Sequence, residues 1–117
     1  MIKKSSVTGI GIGSENTTTI YTVPNGKSAE VVMIWITNPD TTNKNLHLEF
    51  YNASADATVT LLDDFQVDQK DFIQIGGRAN TFVIMKEGDK LQAYGSNNSN
   101  FKVVASYIEY NDIIQGG

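Results

Sequence analysis

The chain has 117 residues, 40% of them hydrophobic and 19% charged, with no cysteine and a formal net charge of −4. That length suits one domain with a core of its own, and the missing cysteine excludes disulfides, thiolate metal sites and cysteine nucleophiles. The acidic balance argues against a nucleic-acid binder, which needs clustered Lys and Arg to displace counterions from phosphate.

Met1-Ile2-Lys3-Lys4 opens like the basic start of a signal peptide, but Ser5 to Gly11 is too polar and too Gly-interrupted for an apolar h-region. No apolar run approaches the ~20 residues that span a bilayer. The expectation is a protein made in a cytoplasm that stays there or leaves by a route such as lysis, without membrane contact.

Apolar residues alternate or run in short blocks, and turn formers interrupt them at near-regular intervals. The breaks fall at Pro24-Asn25-Gly26, Asn38 to Asn45, Asn52 to Asp56, Asp63 to Asp71, Gly76-Gly77, Glu87-Gly88-Asp89 and Gly95 to Asn100. Between them the pattern predicts strands at about 17–23, 28–37, 45–51, 57–62, 71–75, 80–86, 89–95 and 100–110, with boundaries good to ~2–4 residues. About eight short strands with polar turns predict an all-β, single-domain antiparallel β-sandwich. The domain spans 15–111, flanked by an N-terminal arm at 1–14 and a C-terminal tail at 112–117, read either as frayed termini or as arms that dock on a neighbouring protein.

Residues 45–51 alternate cleanly, Leu46, Leu48 and Phe50 against His47, Glu49 and Tyr51. Residues 29–37 differ. Strict alternation puts Ala29, Val31, Met33 and Trp35 on one face and Val32, Ile34 and Ile36 on the other, below Glu30. A strand apolar on both faces needs two covers. In a small sandwich the second cover is often a neighbouring subunit, the alternative being a loop or the N-terminal arm. The expectation is a homo-oligomer, a trimer favoured, with Trp35, Ile34 and Ile36 at the self-assembly interface.

Catalytic and ligand-binding patterns are sparse. The single histidine, His47, has only Glu49 near it in sequence, too few ligands for zinc, and no G-x-S-x-G turn supplies a nucleophile. Gly9-Ile10-Gly11-Ile12-Gly13 lacks the further glycine, at Ser14, and the helix that a phosphate loop requires. Asp63, Asp64, Asp68 and Asp71 crowd one segment without the alternating calcium-loop pattern. Asn16, Asn52 and Asn97 begin sequons by chance of composition. Tyr51, Tyr94, Tyr107, Tyr110 and Trp35 offer rings that stack on sugars, or half-buried packing with a wet hydroxyl. The expectation is no enzyme, no cofactor and no metal.

The whole-chain pattern resembles the small virion structural proteins of tailed bacteriophages. Thr19-Ile20-Tyr21-Thr22-Val23-Pro24-Asn25-Gly26-Lys27-Ser28-Ala29-Glu30-Val31-Val32 resembles their "iYTVPaGKtAev" opening, and Ile34-Trp35-Ile36-Thr37-Asn38 their following "I-x-I-x-N" strand. Glu87-Gly88-Asp89-Lys90-Leu91-Gln92-Ala93 is similar to their "eGDkLqa" turn, and Val103 to Tyr110 to their closing "vv-S-y-E-y" strand. Physically these motifs specify turns: Pro24 presets φ, while Gly26 and Gly88 allow φ above zero.

The resemblance implies a jelly-roll-like sandwich and a non-enzymatic capsid decoration (cement) protein that bridges capsid subunits. It equally accommodates a neck or tail accessory ring subunit, or a receptor- or glycan-binding module of the virion. It implies the major capsid protein or other virion proteins as partners, the virion as location after assembly in the bacterial cytoplasm, and docking arms carrying Ile10, Ile12, Ile113 and Ile114.

Overall fold

The computed structural model describes residues 3–10, 17–77, 83–96 and 99–112. Among these lie nine strands: β1 (Lys3–Ile10), β2 (Thr18–Thr22), β3 (Lys27–Thr37), β4 (Lys44–Asn52), β5 (Ala57–Val67), β6 (Phe72–Gly76), β7 (Val83–Met85), β8 (Lys90–Gly95) and β9 (Phe101–Asn111). Eight occupy the expected stretches. The addition is β1, which lies within the expected N-terminal arm. Its sequence carries no clear alternation, but β9 is 11 residues long, and β1 pairs with it residue for residue from Lys3–Ile108 to Ile10–Phe101. Backbone groups left open along an edge seek partners whatever side chains accompany them.

Pairing is antiparallel throughout and nested. β1 pairs with β9, β2 with β8, β3 with β6 and β7, and β4 with β5. This is one long two-stranded ribbon whose closed end is the β4–β5 hairpin. Two further pairs, β3–β9 and β4–β8, roll the ribbon up. The result is a jelly roll: sheet A ordered β1-β9-β3-β6, with short β7 beside β6 on β3, and sheet B ordered β2-β8-β4-β5.

The core lies between the sheets. Val31, Ile34, Ile36, Val103, Ala105 and Phe101 from sheet A meet Leu46, Leu48, Leu91 and Ala93 from sheet B, all fully buried. On β3 the buried set changes parity, from Ala29 and Val31 to Ile34 and Ile36. The cause is a β-bulge. Val31 pairs with Tyr107 and Met33 with the adjacent Ser106, so Val32 is an extra residue. One extra residue exchanges the two faces of everything beyond it.

The polar residues of the motifs are hydrogen-bond nodes. At one end Asn38 is fully buried. Its amide donates to the carbonyls of Thr42 (3.0 Å), Val67 (2.9 Å) and Asp68 (3.3 Å), and its Oδ1 accepts from Asp40 N–H (3.0 Å), tying the loops after β3 and β5. At the other end the two expected turns meet. Lys27 N–H donates to Pro24 O (3.2 Å), with Gly26 at φ 75° and Gly88 at φ 83°. The Glu87 carboxylate accepts from Gly26 N–H. Asp89, 3% exposed, accepts from Ala53 N–H (2.8 Å) and Lys86 N–H (2.9 Å).

Glu109 ties the sheets together. Its carboxylate accepts from Tyr21 Oη on β2 (2.6 Å) and Lys4 Nζ on β1 (2.8 Å), with Lys27 Nζ at 3.7 Å. Tyr21 also stacks on Tyr107 at 4.1 Å between centroids. The Lys4 ammonium and then the Tyr21 hydroxyl hold the Glu109 carboxyl below its ordinary range. Burial, reinforced by Glu109, pushes the Tyr21 phenol far up, so it stays a donor.

Asp89→Ala strands two backbone N–H groups in a nearly dry site. At ~1–3 kcal/mol for each orphaned group, the expected loss is about 2–6 kcal/mol in urea unfolding. Glu109 is ionised more readily folded than unfolded. Its contribution is therefore present above the unfolded pKa, about 4.3, and is lost as pH falls through the lower folded value. Glu109→Gln should flatten this acid limb when urea midpoints are compared from neutral pH to below pH ~4.

Candidate functional site

Beyond the bulge, β3 turns Met33 and Trp35 outward. Cross-strand partners share a face, so the registers assemble the outer surface of sheet A row by row. Phe72 lies beside Thr37 and Lys102; Gln74 beside Trp35 and Val104; Gly76 beside Met33 and Ser106; Ile84 beside Glu30 and Ile108; and Ser28 beside Tyr110. Trp35 and Phe72 stack at 4.1 Å with their planes 9° apart, and Trp35 Nε1–H donates to Thr37 Oγ1 at 2.8 Å. Ile84 is 60% and Phe72 47% exposed. Large apolar side chains thus stand in water in two rows of this face, which singles it out as the candidate interaction surface.

Its polar rim is internally ordered. Tyr110 Oη donates to Glu30 Oε2 at 2.7 Å, and this contact pushes the Tyr110 phenol up. Lys102 is exposed at the opposite end of β9. Glu30 and Lys102 therefore stand at opposite ends of the face, with Trp35, Val104 and Met33 between.

This surface corrects the expected self-assembly residues. Ile34 and Ile36 are fully buried between this chain's own sheets, so they are unavailable to a neighbour. Trp35 is on the outer face, as a contact residue must be. Strict alternation misassigned the isoleucines because it carried one parity through the bulge. Phe72, Ile84, Val104 and Ile108 were missed because they join Trp35 through pairing between strands distant in sequence. Of the expected docking arms, Ile10 is the last residue of β1, opposite Phe101; Ile12, Ile113 and Ile114 lie outside the described residues.

The outer face of sheet B is of different character. His47 stacks on Tyr94 (4.3 Å, 10°), and Lys90 Nζ stands 5.7 Å from the Tyr51 ring centroid. Gln92 donates to Glu49 at 2.9 Å, and Tyr51 Oη to Asp56 at 2.7 Å. Asp63 and Asp64, read as a turn from sequence, lie within β5, where register shifts against β4 bring them to His47. His47 Nδ1 lies 3.2 Å from both Asp64 N and Asp63 Oδ1. A neutral Nδ1 accepts the Asp64 N–H; a protonated one donates to Asp63 instead. Among the described residues no group of three or more His, Asp or Glu is arranged to hold a metal ion.

Of the other rings proposed for sugar stacking, Tyr107 packs against the core and is stacked on Tyr21. Tyr110 is tied to Glu30. Tyr51 and Tyr94 are the two that sit on the outer face of sheet B.

The two sides of β3 respond oppositely to substitution. Ile34→Ala leaves a core cavity and costs about 2–5 kcal/mol, whereas Ile84→Asp on the open face stays within about 0.5 kcal/mol. Urea unfolding of both variants at one concentration in the monomeric range checks this pair.

The chain shows no significant match to any protein-family model, any curated protein or any solved structure.

Proposed function

We propose that this chain is a non-enzymatic structural protein of a tailed-phage virion, and specifically a capsid decoration (cement) protein that bridges capsid subunits. The observation that carries the reading is the open apolar face of sheet A, centred on Trp35 and flanked by exposed Phe72 and Ile84. A decoration protein works by burying surface against neighbours, so that rupture of the shell must also break those contacts. Apolar area removed from water contributes ~25 cal/mol per Å², and a rigid rolled sandwich presents that area at little ordering cost.

The sequence motifs support the same reading in a different way. Asn38, Glu87, Asp89 and Glu109 all have structural hydrogen-bond partners, so what resembles the phage proteins is the framework of a scaffold. The acidic balance of the chain suits an outer position away from packaged DNA. A neck or tail ring subunit would use the same face. A glycan-binding module of the virion would use the other one, where Tyr51 and Tyr94 lie among Glu49, Gln92 and Lys90.

Quantitative mass spectrometry of purified virions tests the proposal. Decoration predicts copies on the scale of the major capsid protein, and release of the shell at lower temperature when the protein is deleted. Copies on the scale of a single ring shift the assignment to neck or tail. Absence from the particle overturns it.

A further inference from the structure

We infer that a second copy of this chain covers the outer face of sheet A, packed face to face across a two-fold axis that crosses the strands at Met33 and Ser106. The inference rests on the reading of this face as an assembly surface and supplies its partner. A closed two-fold contact needs a patch that complements itself when its ends are exchanged. Here the row order provides that. Counting from the central row of Met33 and Ser106, Val104 lies one row towards one end and Ile108 one row towards the other. On the edge formed by β6 and β7, Phe72 lies two rows out on the Val104 side and Ile84 one row out on the Ile108 side.

Turning one copy over end for end sets Val104 against Ile108 of the second copy and Gln74 against Ile84 of the second copy, and brings Phe72 against the second copy's row of Ser28 and Tyr110. The same operation brings the exposed Lys102 ammonium towards the end that carries Glu30 and Tyr110. The ion pairs form twice, once on each side of the axis. Side-by-side or like-end packing would instead place Lys102 near Lys102 and Glu30 near Glu30, which like charges oppose.

The size is adequate. Four strands at ~4.8 Å spacing and about ten residues at ~3.3 Å rise give roughly 600 Å² per copy. Doubled, that is about 1,200 Å², within the range of specific interfaces. A two-fold dimer is proposed in place of the trimer favoured from the sequence; Ile34 and Ile36, counted there in the self-assembly interface, are buried in this chain's own core.

Sedimentation equilibrium of the full chain tests this, with Ile84→Asp, Lys102→Glu, Glu30→Lys and the double charge reversal in one chain. A reversible dimer is expected, weakened about tenfold or more by Ile84→Asp and by each single reversal. The double reversal should recover most of the affinity, since it restores both ion pairs with their signs exchanged. Ile84 and Lys102 are exposed, so their substitution leaves the fold in place. That recovery also reads the interface independently of any loss from breaking the Tyr110–Glu30 bond. A monomer at high micromolar concentration, a closed trimer, or a double reversal no better than the single ones overturns the two-fold contact. A monomer that still occupies virions defeats this inference alone; a dimer absent from virions defeats the virion reading alone.

Discussion

The extra residue at Val32 decides what this molecule has inside and what it shows outside. Without it, the register that buries Ala29 and Val31 would drive Met33 and Trp35 into the core and leave Ile34 and Ile36 in water. With it, all four aliphatic positions reach the interior. Fully burying an isoleucine contributes ~1.5–3 kcal/mol relative to leaving it exposed, so the bulge places two such contributions in the core of one strand. The same step puts the indole on the outer face, against Phe72. Because β3 pairs with β9, β6 and β7, its parity sets the faces of much of sheet A.

The rolled ribbon explains why distant segments cooperate. β1 joins the last strand and β2 the strand before it, so most pairings in sheet A are long-range in sequence. Glu109 then pins β9 to β1 and β2 together, and Asn38 and Asp89 knit the loops at opposite ends. Each of these polar groups is satisfied by several partners, which is what makes burial of a carboxylate or an amide tolerable.

Much of this was legible in the sequence. Alternation at Leu46, Leu48 and Phe50 and the turns at Gly26 and Gly88 are local signals, and the structure follows them. Three features were not legible. The bulge leaves no trace in a run where every residue from Val31 to Ile36 is apolar, because either parity fits. β1 is held by backbone pairing to a strand some hundred residues away, which hydrophobic pattern does not record. The open face depends on which strands become neighbours, so Phe72, Ile84 and Ile108 look unrelated until β3 brings them beside Trp35. Asp63 and Asp64 carried the opposite ambiguity: a charged pair that reads as a turn is instead a distortion within β5, beside His47.

The two outer faces divide the chemistry of the molecule, apolar on sheet A and polar-aromatic on sheet B, and the account stands on the first being covered in the working assembly. Trp35 is the single tryptophan and sits at the centre of that face, so its fluorescence reads the cover directly. The decisive measurement is acrylamide quenching of Trp35 along a dilution series, taken alongside native mass. The account predicts that quenching falls and emission shifts to the blue in step with association. Association that leaves Trp35 as open to quencher as in the dilute monomer would place the contact elsewhere and contradict it.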